Sequence, residues 1–192
     1  MSEFHPNKWP SGKPETISGT GSMLQHTESI RHSLPQIFDQ YGIRTFFDAP
    51  CGDGNWIKSV QFGNTLYSGG DVSAEVCEYN SMPNVSTFDI RTDTPPDVDM
   101  WFCRDCLYHL SIADIQASID NMRSGNIRYF MLTTHLQKHL HHHRNRDIAT
   151  GGFRILILKE HNYFGLPEPI GHYADSRTGL DEDMLLFDLE QS

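Results

Sequence analysis

The sequence predicts an α/β fold built on a doubly wound, mostly parallel sheet with helices on both faces. Short apolar runs alternate with helical patterns through the first two-thirds of the chain, which is typical of parallel-sheet proteins. The apolar runs are continuous, as expected for strands covered on both faces. The first of them leads directly into a glycine-containing loop, where crossover units often bind a ligand.

The predicted elements follow one another at short intervals. A helix at residues 23–32, with Ser22 as its N-cap, precedes a second helix at 34–41, which has Pro35 in its first turn and ends at Gly42. Strands are predicted at residues 44–49, 65–67, 85–90, 98–103 and 127–133. Helical segments are predicted at 55–60, 73–79 and 111–122, and later extended runs at 153–158 and 184–189.

Length and charge narrow the class of protein. The 192 residues suit one domain, which we place at residues 22–192, after an irregular arm at 1–21 that could act as a lid. The net charge of −10 disfavours loose binding to a nucleic-acid backbone. No apolar run is long enough to span a membrane, and no secretory leader is present, so we expect no membrane partner and a cytoplasmic location.

Cys103 and Cys106 form a C-x-x-C pair. Such a pair can be a redox centre or half of a zinc site. There is no second pair, and this one ends an apolar run, so we favour packing cysteines in a reducing compartment.

The segment at residues 48–56 carries the strongest functional signal. Gly52 and Gly54 allow a tight turn and close approach of the backbone to a ligand. A phosphate-binding loop would continue with Gly-Lys-Ser/Thr, and a dinucleotide loop would have a third glycine where Ile57 stands. Asp48 and Asp53 would repel a pyrophosphate, so the loop favours a cationic ligand.

Carboxylates also end the next two predicted strands. Asp71 lies 23 residues after Asp48, the position from which an acidic side chain accepts hydrogen bonds from ribose hydroxyls. Asp89 could accept from an adenine amino group, with Ile90 against the ring. Glycine and aspartate are also common in surface turns, but their order at three strand ends favours a nucleoside-containing cofactor.

These residues resemble the class I S-adenosylmethionine (SAM)-dependent methyltransferases. Residues 48–54 look like the first motif of that family, Asp71 like the second, residues 89–90 like the third and residues 103–111 like the fourth. A bacterial and phage subgroup is similar through its Ser-Gly-x-Gly-Ser arm (residues 18–22), Thr27, Thr-Gly-Gly (150–152) and residues 164–169. The resemblance covers about residues 9–169.

The resemblance implies a Rossmann-like sheet of seven strands with a final antiparallel hairpin, although the short chain suggests that the last strands are trimmed. It also implies S-adenosyl-L-methionine as the cofactor. The expected cofactor-binding residues are Asp48, Pro50, Gly52, Gly54, Asn55, Trp56, Asp71, Asp89, Ile90 and Arg104. The Asn/Asp-Pro-Pro-Tyr signature of DNA amino-methylating enzymes is missing after the fourth strand, which argues against a base-methylating activity.

Catalytic and acceptor-binding residues are expected after the fourth strand. A hydroxyl acceptor needs a general base, and His109 is the first choice, since histidine titrates near neutral pH. Asp105 is the second. A packed imidazole is an equal alternative for His109, as is a solvated surface charge for Arg104.

A polar connection follows the fifth strand at residues 135–152. Within it, Arg144 and Arg146 could grip a carboxylate or phosphate of the acceptor, and His135 could border its pocket. Further histidines stand at 139 and 141–143. Histidine tracts can bind metals, but no carboxylate lies inside this cluster, so we predict no metal.

The predicted activity is methyl transfer to an oxygen or nitrogen of a small-molecule or sugar acceptor. Two alternatives stay open: a protein or nucleic-acid methyltransferase, and a SAM-binding or SAM-degrading protein on the same fold. The oligomeric state is not predicted.

Overall fold

One seven-stranded sheet organises the computed structural model, which describes residues 15–136, 144–177 and 180–191. The strand order is β3-β2-β1-β4-β5-β7-β6. The strands are β1 (Thr45–Asp48), β2 (Leu66–Asp71), β3 (Val85–Thr87), β4 (Met100–Cys103), β5 (Tyr129–His135), β6 (Gly171–Arg177) and β7 (Leu180–Asp188). Neighbouring pairs among β1–β5 are parallel, whereas β7 is antiparallel to both β5 and β6. This is the Rossmann-like methyltransferase fold.

The final hairpin corrects one expectation. We expected trimmed last strands, but β6 pairs with β7 along its whole length, from Gly171 with Leu186 to Arg177 with Leu180. The predicted extended run at residues 153–158 is not a strand. Its backbone instead crosses the end of β5, where the amide of His135 donates to the Leu156 carbonyl (2.8 Å).

The first helix corrects a second expectation. Instead of two helices, α1 (Glu28–Tyr41) runs through Pro35 and follows two short 3-10 turns. A proline inside a helix costs about 3 kcal/mol, but α1 buries one continuous apolar face that offsets this cost. That face consists of Ile30, Leu34, Ile37 and Phe38. Gly42 ends the helix in the left-handed conformation (φ 67°), as predicted.

The remaining helices follow their caps. Ser73 caps α2 (Ala74–Tyr79), and Ser111 caps α3 (Ile112–Ser124). The helix predicted at residues 55–60 is only a 3-10 turn, Ile57–Ser59. The turn ends at Val60, whose backbone is extended (φ −76°, ψ 139°) and so cannot continue a helix.

Two cores lie on opposite faces of the sheet. Alternate side chains of β4 enter different cores: Phe102 packs in the core that contains α1, and Trp101 packs in the core that contains α3. Both side chains are fully buried. The sheet is therefore covered by helices on both faces, as predicted. In the described part of the chain, no helix is long and apolar enough to cross a membrane.

Candidate cofactor and acceptor site

The carboxyl ends of β1, β2 and β4 meet at one edge of the sheet. Asp48, the last residue of β1, stands beside Gly69 of β2 on one side and Phe102 of β4 on the other. Ligands of open α/β sheets bind at this edge. The loops that follow these three strands carry most of the predicted cofactor residues.

The glycine loop is tied to the second strand. Gly52 (φ 57°) and Gly54 (φ 70°) both adopt left-handed conformations that disfavour other residues. The amide of Gly52 donates to the Asp71 carboxylate at 3.1 Å. A Cβ on Gly52 would lie 2.6 Å from Ser18 Oγ, and one on Gly54 would collide with Asn80. The two glycines thus leave space for the side chains of Ser18 and Asn80. The sequence did not indicate this role.

The described end of the N-terminal arm lies on this loop. The Asp53 carboxylate accepts hydrogen bonds from Thr16 Oγ1 (2.7 Å) and from the amide of Ile17 (2.8 Å). In return, the amide of Asp53 donates to Ser18 Oγ at 2.7 Å. Asn55 Nδ2 donates to the Ser22 carbonyl at 2.9 Å. The arm is therefore held by Asp53 and Asn55, two residues of the loop.

Asp48 is a buried carboxylate, only 2% exposed. Its carboxylate accepts a hydrogen bond from the Tyr67 hydroxyl, at 3.2 Å. Burial raises the pKa of Asp48 to about 8, against the opposing effects of that hydrogen bond and of Arg104. A cation bound nearby would favour the charged form of this carboxylate.

Asp71 and Asp89 have different surroundings. Asp71 accepts from the amides of Gly52 and Ser73, and burial raises its pKa. Asp89 lies two residues beyond the end of β3, and its two oxygens receive a bidentate pair from Arg91 (2.9 and 2.7 Å). That hydrogen bonding lowers the pKa of Asp89. An adenine amino group would have to share Asp89 with Arg91.

Arg104 follows β4 and is buried, with 5% exposure. Its Nε and one terminal nitrogen bind both oxygens of Asp175 on β6, at 2.7 and 3.1 Å. The other terminal nitrogen donates to the Gly21 carbonyl of the arm at 3.1 Å. The guanidinium also lies 5.5 Å from the ring centroid of Trp56. A solvated surface charge is therefore the wrong alternative for Arg104, which joins the arm to the hairpin.

A cluster of acidic groups surrounds this ion pair. Oxygens of Asp105, Asp175 and Glu182 all lie within 4.8 Å of one another. Arg104 lies 3.2 Å from Asp105, and His135 Nε2 lies 3.2 Å from Glu182. Arg104 thus counters the charge of the acidic cluster on one side, and the His135 ring contacts the cluster on the other. His135 is buried among these groups and also bonds to the backbone of Leu156. It therefore contacts the hairpin as well as the segment after the predicted acceptor loop.

His109 lies in a 3-10 turn, Leu107–His109, directly after β4. Its Nδ1 is 2.8 Å from the carbonyl oxygen of Gly152, in the predicted Thr-Gly-Gly segment. A carbonyl only accepts, so Nδ1 carries the hydrogen, and in the neutral ring the lone pair is on Nε2. The ring is 7% exposed and lies 5.8 Å from the ring of Phe153.

A pocket of about 410 Å³ is lined in part by Phe153, whose ring lies 5.8 Å from the ring of His109. Its lining includes both predicted arginines, Arg144 and Arg146, together with Phe153, Arg154 and Ile155. Arg154 was missed by the sequence analysis, because nothing in its neighbourhood distinguishes it from an ordinary surface arginine. The histidines at 139 and 141–143 lie outside the described residues.

The remaining predicted residues lie at the same sheet edge. Pro50 and Ile90 border the loops after β1 and β3, and Ile90 belongs to the core on the α3 side.

Cys103 and Cys106 are free thiols. A hydrogen bond with Cys106, together with burial, raises the pKa of Cys103 well above its usual value.

The donor set at this edge fits a cationic, nucleoside-containing cofactor. Asp48 and Asp71 are buried carboxylates whose pKa values burial has raised, so a nearby positive charge would be favourable for both. No lysine lies in the loop to receive a phosphate. The chemistry of the residues present therefore fits SAM.

Solved structures similar to this chain include methyltransferases. A 1,6-didemethyltoxoflavin-N1-methyltransferase from Burkholderia thailandensis has a TM-score of 0.63 at 12% identity, over 86% of this chain and 80% of that one. A magnesium protoporphyrin IX methyltransferase from Synechocystis, solved with SAM, has a TM-score of 0.59 at 18% identity, over 86% and 78%.

Human N-acetylserotonin methyltransferase, solved in complex with SAM, has a TM-score of 0.60 at 12% identity. The similarity covers 82% of this chain but 51% of the human chain, so this chain spans about half the length of that enzyme. No protein-family model matches the sequence, and no curated protein matches it. The likeness is one of fold.

Proposed function

We propose that this chain is a SAM-dependent methyltransferase that acts on an oxygen or nitrogen atom of a small-molecule or sugar acceptor. One observation carries the proposal: the sheet edge that is the ligand-binding edge of this fold also collects buried carboxylates, a left-handed glycine loop and His109. The fold and the small-molecule methyltransferases among its structural neighbours support it. The cytoplasmic location, the boundary at residue 22 and the subgroup with the Ser-Gly-x-Gly-Ser arm stay predictions.

The cofactor would be held at the ends of β1, β2 and β3. Asp71 would accept from the ribose hydroxyls, Asp48 would favour the cationic groups, and Ile90 would contact the base. The arm, fastened to Asp53 and Asn55, would exclude water from one side. Bound SAM would supply an activated methyl group, so the protein's main task is to place the acceptor in line with it.

His109 would remove the proton from the acceptor. The Gly152 carbonyl holds the Nδ1 hydrogen and leaves Nε2 as the basic atom of the neutral ring. The same bond orients the ring, as a catalytic base requires. Asp105 is the second choice, because its carboxylate is already paired with Arg104 at 3.2 Å.

Calorimetry with SAM and with its demethylated product tests the proposal. We expect saturable binding, and Asp71→Asn should weaken it at least about tenfold, since a buried acceptor would lose its charge. Asp120→Asn is the matched control, because Asp120 is an exposed residue on α3 that bonds only within its helix. A folded wild-type protein that binds neither compound would contradict the proposal.

His109→Ala tests the base. With an acceptor found by screening small hydroxyl and amine compounds for release of the demethylated cofactor, turnover should fall by about 10²–10⁴-fold. SAM affinity should not change. Equal turnover in the variant and the wild type would remove His109 as the base. Release of demethylated or cleaved cofactor without any acceptor would instead favour the SAM-degrading alternative.

A further inference from the structure

Arginines in this protein bind carboxylates in one recurrent way. Nε and the terminal nitrogen on the same side form two parallel hydrogen bonds to the two oxygens of one carboxylate. The pairs are Arg91 with Asp89 (2.9 and 2.7 Å), Arg104 with Asp175 (2.7 and 3.1 Å) and Arg128 with Asp188 (3.1 and 2.9 Å).

Arg154 leaves that edge without a partner. Among the described residues, nothing accepts a hydrogen bond from its Nε or from its NH2, and both atoms are buried. The whole residue is 3% exposed. Only the opposite corner is used, where NH1 donates to the Leu110 carbonyl at 2.6 Å. Leaving a charged donor edge buried and unpaired is unfavourable, so the arrangement calls for an acceptor from outside.

The surroundings of Arg154 are suited to an anion. Arg154 lines the pocket of about 410 Å³ with two further arginines, Arg144 and Arg146. Glu160 lies 3.6 Å from Arg144, and Asp147 is the acidic residue whose charge acts on Arg154. Neither acid meets the open edge of Arg154. Phe153 supplies an apolar wall, and the pocket's size suits part of a small molecule.

We propose that Arg154 binds an oxyanion, a carboxylate or phosphate group, of the methyl acceptor. The identification of the ligand as a methyl acceptor rests on the proposed function. The connection is local, because the amide of Arg154 donates to the Tyr108 carbonyl at 3.2 Å and Phe153 lies 5.8 Å from the His109 ring. An anionic group at Arg154 would therefore hold the acceptor beside His109. The acceptor class becomes an anionic small molecule, such as a carboxylic acid or a phosphorylated sugar.

Titration with inorganic phosphate and with acetate, at constant ionic strength, tests the site without knowledge of the acceptor. The readout is the Arg154 Nε–H signal in a ¹⁵N spectrum of the full chain, assigned by its loss in Arg154→Lys. We expect a saturable shift with at least one anion. The anion that shifts the signal at lower concentration indicates whether carboxylates or phosphates are preferred.

Substitutions separate the open edge from general positive charge. Arg154→Lys keeps the charge but loses the two parallel donors, so phosphate affinity measured by calorimetry should fall at least about tenfold. Arg146→Gln, at an exposed position, should lower it about two- to threefold by removing a more distant charge. Arg123→Met is the matched control, because Arg123 also donates to a carbonyl, that of Gly165, and should leave affinity unchanged. Arg146→Gln keeps the test valid if the Arg154 variant does not fold.

The outcomes keep the two proposals apart. SAM binding without any shift of Arg154 by either anion overturns the oxyanion site and leaves the methyltransferase proposal standing. A saturable shift of the Arg154 signal, together with phosphate affinity that is lowered in Arg154→Lys but without SAM binding, supports an oxyanion site and overturns its link to methyl transfer. Phosphate affinity that is equal in wild type and Arg154→Lys overturns the role of the open edge.

Discussion

Arg104 and Arg154 are both buried arginines, but they differ in their hydrogen-bond partners. Both are at most 5% exposed, and both donate to a backbone carbonyl, that of Gly21 or that of Leu110. Arg104 also has a carboxylate on its bidentate edge, whereas Arg154 does not. Burial of a guanidinium alone therefore does not identify a binding site. The informative observation is the donor edge that the protein leaves unpaired.

The largest effect should come from breaking the paired arginine. Arg104→Met leaves Asp175, whose side chain is fully buried, without its bidentate partner. We expect the free energy of unfolding to fall by about 3–5 kcal/mol, as for other buried pairs that lose one member. Chemical denaturation monitored by circular dichroism measures this. A loss below about 1 kcal/mol would mean that Asp175 is compensated by another group.

A double substitution should recover much of that loss. In Arg104→Met/Asp175→Leu no buried charge is orphaned, and apolar replacement of a buried ion pair is often neutral or stabilising. We expect about 1–4 kcal/mol of coupling in a double-mutant cycle. Additive losses would show that the two side chains do not act as a pair. Asp105 and Glu182 lie close enough to influence the result.

Asp48 is a buried carboxylate, and its contribution to the free energy of unfolding should depend on pH. Its pKa is raised from 3.8 to about 8 in the folded protein, so between these values the folded state holds the extra proton. The free energy of unfolding should therefore fall as pH rises through this range, with a slope approaching about 1.4 kcal/mol per pH unit. Denaturation of wild type and Asp48→Asn from pH 5 to 9 tests this, and the variant should lack that slope.

The affinity for SAM should depend on pH in the opposite direction from the free energy of unfolding. The charged form of Asp48 favours a cationic ligand, so affinity should rise with pH towards and beyond 8 and should be nearly flat in Asp48→Asn. Calorimetry at three pH values is sufficient. A wild-type affinity that falls with rising pH would contradict the placement of a cation near Asp48.

The smallest effect on stability should come from the unpaired arginine. Arg154→Met removes a buried charge that lacks a partner on one edge, and that gain offsets the lost bond to the Leu110 carbonyl. We expect a change within about 1 kcal/mol in either direction, while anion binding is lost. A loss as large as that of Arg104→Met would show that Arg154 is a structural residue.

The sequence predicted well those features that depend on neighbours along the chain. Gly52 and Gly54 could be assigned to a left-handed loop, and Ser111 to a helix cap, because turn and cap chemistry is local. The buried strands β1, β4 and β5 were found from their apolar runs. The helix break expected at Pro35 is absent because the local preference of proline is overridden by burial of the apolar face of α1.

Features that depend on distant pairing were not predicted. The residues of β6 are largely polar, and the strand is defined by its pairing with β7. Asp175 was not selected as the partner of Arg104 because the two are 71 positions apart. The open edge of Arg154 depends on the three-dimensional arrangement, in which no described residue accepts a hydrogen bond from its Nε or NH2, and no local sequence pattern predicts this.

The partnership between Arg104 and Asp175 also has a consequence for how the chain matures. Asp175 lies on β6, in the last hairpin of the sheet, and long-range contacts of this kind form slowly because a large loop must first close. During synthesis, β1–β5 leave the ribosome before the hairpin does. Until the hairpin docks, the guanidinium at the end of β4, which donates to the Gly21 carbonyl of the arm, lacks its carboxylate. The candidate-site edge of the sheet is thus completed only when the last hairpin docks.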